Sequence, residues 1–143
     1  MEIRQEEAFW DTIKALDELD ILKHVMVIGS WAEYLFPPLF NTDFIPNIIN
    51  ILADYACEIE RNGYKIVVPE PSVYVIQKIL TNPDRVPTTK KQKDIMAVEE
   101  LLIHIKQSKY HLNKLKEINN NLTKKQLAIV KKVTEDNFID LFN

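Results

Sequence analysis

The sequence predicts an α+β (or α/β) fold: a small mixed sheet packed with helices and followed by a C-terminal helical bundle. Three observations predict it. Val25-Met26-Val27-Ile28 is a short, unbroken apolar run, the pattern of a strand buried on both faces. Arg61-Asn62-Gly63 separates two alternating runs, and Asn-Gly in that place signals a hairpin. From Ser72 onward apolar residues recur at three- and four-residue steps, the period of amphipathic helices. A length of 143 residues fits a single domain, 1–143, with an α/β core over 1–80 and a helical part over 92–143.

The elements follow in order. Ile3, Phe9, Ile13, Leu16 and Leu19 form one stripe and predict a helix over 3–23. The apolar run then ends in Gly29-Ser30. Ser30 is a suitable N-cap for a helix over Trp31–Phe36, which Pro37-Pro38 stops. Phe44-Ile45 suits a strand that Pro46 ends or confines to an edge, and 48–52 is apolar without a clean period. Cys57–Glu60 and Tyr64–Val68 are the hairpin strands, closed by Pro69 and Pro71. Ser72 can cap a helix reaching Leu80, and 83–91 reads as a loop. A longer helix from about Gln92 runs to Ile118, with Ile95, Val98, Leu101, Leu102 and Ile105 inward. Thr123 and Gln126 have the spacing of a capping box opening a last helix, with Leu127, Val130 and Val133 inward.

Composition excludes several classes. The hydrophobic fraction is 46% and the charged fraction 27%, which is incompatible with a collagen-like, mucin-like or wholly disordered chain. A single cysteine, Cys57, excludes an internal disulfide framework and a cysteine-rich zinc site. No apolar run approaches the roughly 20 residues of a membrane span, so no membrane partner is expected. The first seven residues are acidic and lack the basic-then-apolar order of a signal peptide, which predicts a cytoplasmic location. With two glycines, the chain has no glycine-rich phosphate loop. The net charge of −3 hides two poles. Residues 1–60 carry twelve acids against three bases, and 104–134 carry eight lysines against the single acid Glu117. The lysines suit a solvated helix face or a patch that attracts phosphates. His24, His104 and His111 share no metal-ligand spacing.

One arrangement goes beyond bulk pattern. A strand-like run enters Gly29-Ser30 and a helix start, and Asn41-Thr42-Asp43 follows about ten residues later. This resembles the signature of the nucleotidyltransferase superfamily that includes DNA polymerase beta: a hydrophobic residue, Gly-Ser, a gap, then two carboxylates one residue apart on a strand. A Gly-Ser turn lets backbone and hydroxyl approach a triphosphate. Carboxylates two positions apart on a strand point the same way and can share Mg²⁺. Here the first carboxylate position is Asn41, and only Asp43 keeps its charge. The third carboxylate has no match, since the spacing of Glu58 and Glu60 supports neither, and the stretch between Asp43 and the hairpin is shorter than the pattern.

A second block runs from Val68-Pro69-Glu70-Pro71 through Lys78 and Arg85 to Lys93-Asp94. It is similar to the downstream region of bacterial nucleotidyltransferase-like proteins, including the abortive-infection toxin type. The resemblance implies a reduced nucleotidyltransferase-like core and a Mg²⁺-dependent transfer of a nucleotidyl group from a nucleoside triphosphate to a hydroxyl. It implies that Gly29, Ser30, Lys78 and Arg85 contact nucleotide, that Asp43 and Asn41 hold Mg²⁺, that Asp43 is a catalytic acid, and that Asp94 is a catalytic or an ordering acid. The acceptor is a protein, RNA or small molecule, and a homo-oligomer is compatible with the pattern. The alternative implied by Asn41 is an inactive relative kept as a binding or regulatory protein.

Overall fold

The computed structural model describes residues 2–40, 47–49 and 56–143, with 47–49 described as backbone. The mixed α+β class is as the sequence predicts. Six α-helices and a three-stranded sheet occur among the described residues. The chain forms two compact units, Met1–Pro69 and Glu70–Asn143. No described helix is long and apolar enough to cross a membrane.

In the first unit, α1 (Ile3–Glu18) buries Phe9 and Ile13, while Ile3 and Leu19 are exposed. The expected stripe is cut short because the helix stops at Glu18 and Asp20 turns the chain with φ 60°. A 3₁₀ turn over Leu22–His24 follows. The run 25–28 is not the buried strand its composition predicts. Met26 makes a single parallel bridge to Val67, Val27 N–H donates to Val67 O at 2.8 Å, and Ile28 is 68% exposed. A β-branched run is buried on both faces only where layers cover both, and the described residues do not supply them here.

The sheet has the order β1 (Asn47–Ile49), β2 (Ala56–Arg61), β3 (Tyr64–Pro69), antiparallel throughout. The hairpin forms where Asn-Gly predicts it. Arg61 pairs with Tyr64, and Asn62 and Gly63 take φ 53° and 81°, the two left-handed residues of a type I′ turn. Its strands bury Ala56, Cys57, Ile59, Ile66 and Val68. Phe9 stacks on Trp31 at 4.3 Å, Trp10 lies against Tyr64 at 6.3 Å, and Arg61 sits 4.4 Å over the Tyr34 ring. This aromatic cluster joins α1, α2 (Ser30–Leu35) and the hairpin.

In the second unit, α3 (Pro71–Thr81) is buried on nearly every side, since α4 (Thr88–Gln107), α5 (Lys109–Asn120) and α6 (Lys124–Asp136) all pack on it. Its N-cap is Glu70, not the expected Ser72. Glu70 Oε2 accepts from Ser72 N–H at 2.7 Å, and Pro71 takes the first helical position, where its missing N–H costs nothing. The predicted loop 83–91 is shorter than expected: a 3₁₀ turn spans Asn82–Asp84 and α4 already begins at Thr88. The long helix expected to reach Ile118 is two helices. Ser108 is extended, with φ −109° and ψ 115°, and its Oγ accepts from His111 N–H at 3.3 Å to cap α5. The capping box of α6 is present, with Gln126 N–H to Thr123 Oγ1 at 3.2 Å and Thr123 N–H to Gln126 Oε1 at 2.9 Å.

Candidate functional site

Three residues that the sequence singled out converge in the second unit. Lys78 comes from the last turn of α3, Arg85 follows the Asn82–Asp84 turn, and Asp94 lies on α4. Lys78 Nζ donates to Asp94 Oδ1 at 2.8 Å, and Arg85 Nε donates to Asp94 Oδ2 at 2.8 Å. One carboxylate therefore holds two cations, one on each oxygen, and the cluster carries one net positive charge. Side-chain exposure rises outward, from 8% at Asp94 to 18% at Lys78 and 43% at Arg85. Lys78 also lies 5.1 Å over the Tyr74 ring, which fixes its ammonium from a second direction. Asn82 Nδ2 donates to Lys91 O at 3.1 Å and ties the turn to α4 beside the cluster.

Electrostatics set the state of the acid. Burial pushes the Asp94 carboxyl up, but the hydrogen bonds and charges of Lys78 and Arg85 outweigh it, and the result lies below the usual aspartate value. Asp94 is thus a carboxylate near neutral pH with both oxygens engaged. A weak base already bound to two donors is a poor proton acceptor. Lys93, its neighbour, is exposed.

In the first unit, Ser30 is exposed and is the first residue of α2, so the expectation that it is the N-cap is corrected. The N-cap is Gly29, whose φ of 67° and ψ of −150° belong to a region that glycine alone occupies readily. A methyl group at Gly29 would meet nothing within 4 Å, so the glycine answers a backbone requirement and not a close approach. Gly29→Ala is therefore expected to lose about 1–3 kcal/mol by strain alone. Urea denaturation followed by circular dichroism checks this, and a loss under 0.5 kcal/mol, roughly the scatter of ordinary surface substitutions, would contradict the strain.

Asn41 and Asp43 lie outside the described residues. Glu58 is half-buried and Glu60 exposed on β2. Among the described residues no group of three His, Cys, Asp or Glu side chains is placed to hold a metal ion.

A second polar cluster was not singled out by sequence. Glu70 and His111 are 1% and 2% exposed, with His111 Nδ1 2.7 Å from Glu70 Oε1. Ser72 Oγ donates to His111 O at 2.9 Å. The serine hydroxyl is committed to a backbone carbonyl, so Ser72, His111 and Glu70 are not arranged as a nucleophile with its base. They fasten the start of α5 to the start of α3. The available signal was the acid between two prolines, an N-cap in front of an N1 proline. Nothing local to His111 pointed to its partner.

No family model, curated protein or solved structure matches the chain.

Proposed function

We propose that the chain is a nucleotidyltransferase-like protein that binds a nucleoside triphosphate with Mg²⁺ and transfers its nucleotidyl group slowly to a hydroxyl acceptor in the cytoplasm. The observation that carries this reading is the convergence of Lys78, Arg85 and Asp94, three residues of the second block of resemblance, in one ion-pair cluster. Asp94 orders the two cations, and the net positive charge and the exposed Arg85 guanidinium suit an anionic phosphate. The resemblance implies Asp43 and Asn41 as the oxygen donors to Mg²⁺, with a single negative charge between them. They do not match a two-ion arrangement, which relies on clustered carboxylates. Bound Mg²⁺ would neutralise phosphate charge; what the second unit offers a phosphate is the pair of cations Lys78 and Arg85.

A second reading is favoured by the engagement of both Asp94 oxygens: a binding or regulatory protein without turnover. Two measurements separate them. Calorimetric titration is expected to show triphosphate binding that weakens without Mg²⁺. Lys78→Ala should reduce it roughly tenfold or more, the worth of one charge-assisted contact. Circular dichroism confirms that the variant is folded, and Arg85→Ala, at a more exposed side chain, provides an independent variant with a smaller loss. No binding at millimolar triphosphate, or equal binding with and without Mg²⁺, would overturn the first reading. Transfer of labelled nucleotide to protein, RNA and small hydroxyl acceptors supports the enzyme. Transfer gained only by Asn41→Asp supports a decayed site, and no transfer by either form leaves the binding protein.

A further inference from the structure

A cleft of about 410 Å³ opens in the second unit between the Asn82–Asp84 turn, the first turn of α4 and the outer half of α6. Its lining does not include Lys78, Arg85 or Asp94. Pro83, Ile129 and Val133 supply its apolar surface, and Lys91, Lys132 and Asp136 its charges. Ile129 and Val133 are four residues apart on α6 and so share a face. The hydrogen bond from Asn82 to Lys91 O ties the turn to the start of α4 within this lining.

The charges do not cancel. Lys132 pairs with Asp136 at 3.0 Å, whereas Lys91 is half-buried and makes no ion pair among the described residues. The first turn of α4 contains no acid, and lysines stand at 90 and 91. An anion beside Lys91 would pair with this half-buried cation. Asp136, which also lines the cleft, opposes a second negative charge on the ligand. A volume of this size lies within the range of small-molecule sites.

We propose that this cleft binds a compact organic monoanion with a flat apolar body, of the class of one- or two-ring aromatic carboxylates. The ring lies against Pro83, Ile129 and Val133, and the carboxylate faces Lys91. This site stands apart from the triphosphate reading and does not depend on it.

The test is methyl NMR of the full chain labelled at isoleucine and valine, titrated with indole-3-carboxylate and with its neutral carboxamide. Saturable shifts are expected at the Ile129 and Val133 methyls. The carboxamide should bind about three- to fivefold more weakly, the effect of one partly exposed charge pair. Lys91→Ala, with its melting temperature checked, should bring the carboxylate down to the affinity of the carboxamide. An absence of saturable shifts at these methyls at millimolar ligand would overturn the proposal. So would equal affinity for the two probes, or an unchanged carboxylate affinity in Lys91→Ala.

Discussion

His111→Ala is expected to cost about 3–5 kcal/mol of stability, the combined result of leaving a buried acceptor without its donor and of deleting a buried ring. Two penalties combine. The Glu70 carboxylate, 1% exposed, keeps its bond from Ser72 N–H but loses the imidazole 2.7 Å away. The absent ring also leaves a cavity at the junction of α3 and α5. Against an ionised carboxylate His111 Nδ1 must be the donor, so an amide at position 70 can replace it with the roles reversed. Glu70→Gln can accept from Ser72 N–H through its oxygen and donate to His111 through its nitrogen. It should therefore cost far less than His111→Ala. Urea denaturation of both variants checks the pair. A loss below about 1 kcal/mol for His111→Ala, no more than an ordinary net hydrogen bond, would mean that the pair does not fasten α5 to α3.

Asp94→Ala is expected to cost about 2–4 kcal/mol, at the lower end of the range for a broken buried pair because Arg85 is 43% exposed and can recover water. Lys78, at 18%, cannot recover as fully, and its ammonium is left with the Tyr74 ring. Replacing both members with apolar groups of similar length, Lys78→Met with Asp94→Leu, should recover part of the loss. The pH dependence follows from the lowered Asp94 value. A carboxyl whose folded value lies below its unfolded value stabilises the fold fully above the unfolded value, near 3.8, and progressively less as pH falls through the folded one. The stability difference between the natural chain and Asp94→Asn should therefore be flat from pH 5 to 8 and shrink below about pH 4, near the ordinary aspartate value. A difference that instead grew on acidification would contradict the assigned ion pairs.

These variants also bear on function. Lys78 and Arg85 reach Asp94 from 16 and 9 residues away along the chain, so a phosphate site built on them depends on α3, the following turn and α4 holding together. Loss of triphosphate binding in Asp94→Asn with the fold retained would separate ordering of the cations from stability of the helices.

Sequence by itself determined what a few neighbouring residues decide. Asn62-Gly63 specified the hairpin because two successive left-handed residues are cheap only for such pairs. Thr123 and Gln126 specified the start of α6 because both halves of a capping box lie within one turn. Lys78, Arg85 and Asp94 were legible as candidates through a family resemblance, but their common contact was not. Tertiary structure alone decided the rest. It placed 25–28 at one edge of β3, although the same apolar run would suit a central strand, because burial depends on what covers it. It turned Ser72 toward His111 O, while the N-cap at Glu70, two residues from the N–H it accepts, is local. It broke the long periodic segment at Ser108, where no proline or glycine marks a stop, so that His111 could reach Glu70 across 41 residues. Local hydrogen-bond geometry is written in adjacent residues; the choice of a buried partner is made by the packed chain, where an unpaired charge costs more than a change of helix boundary.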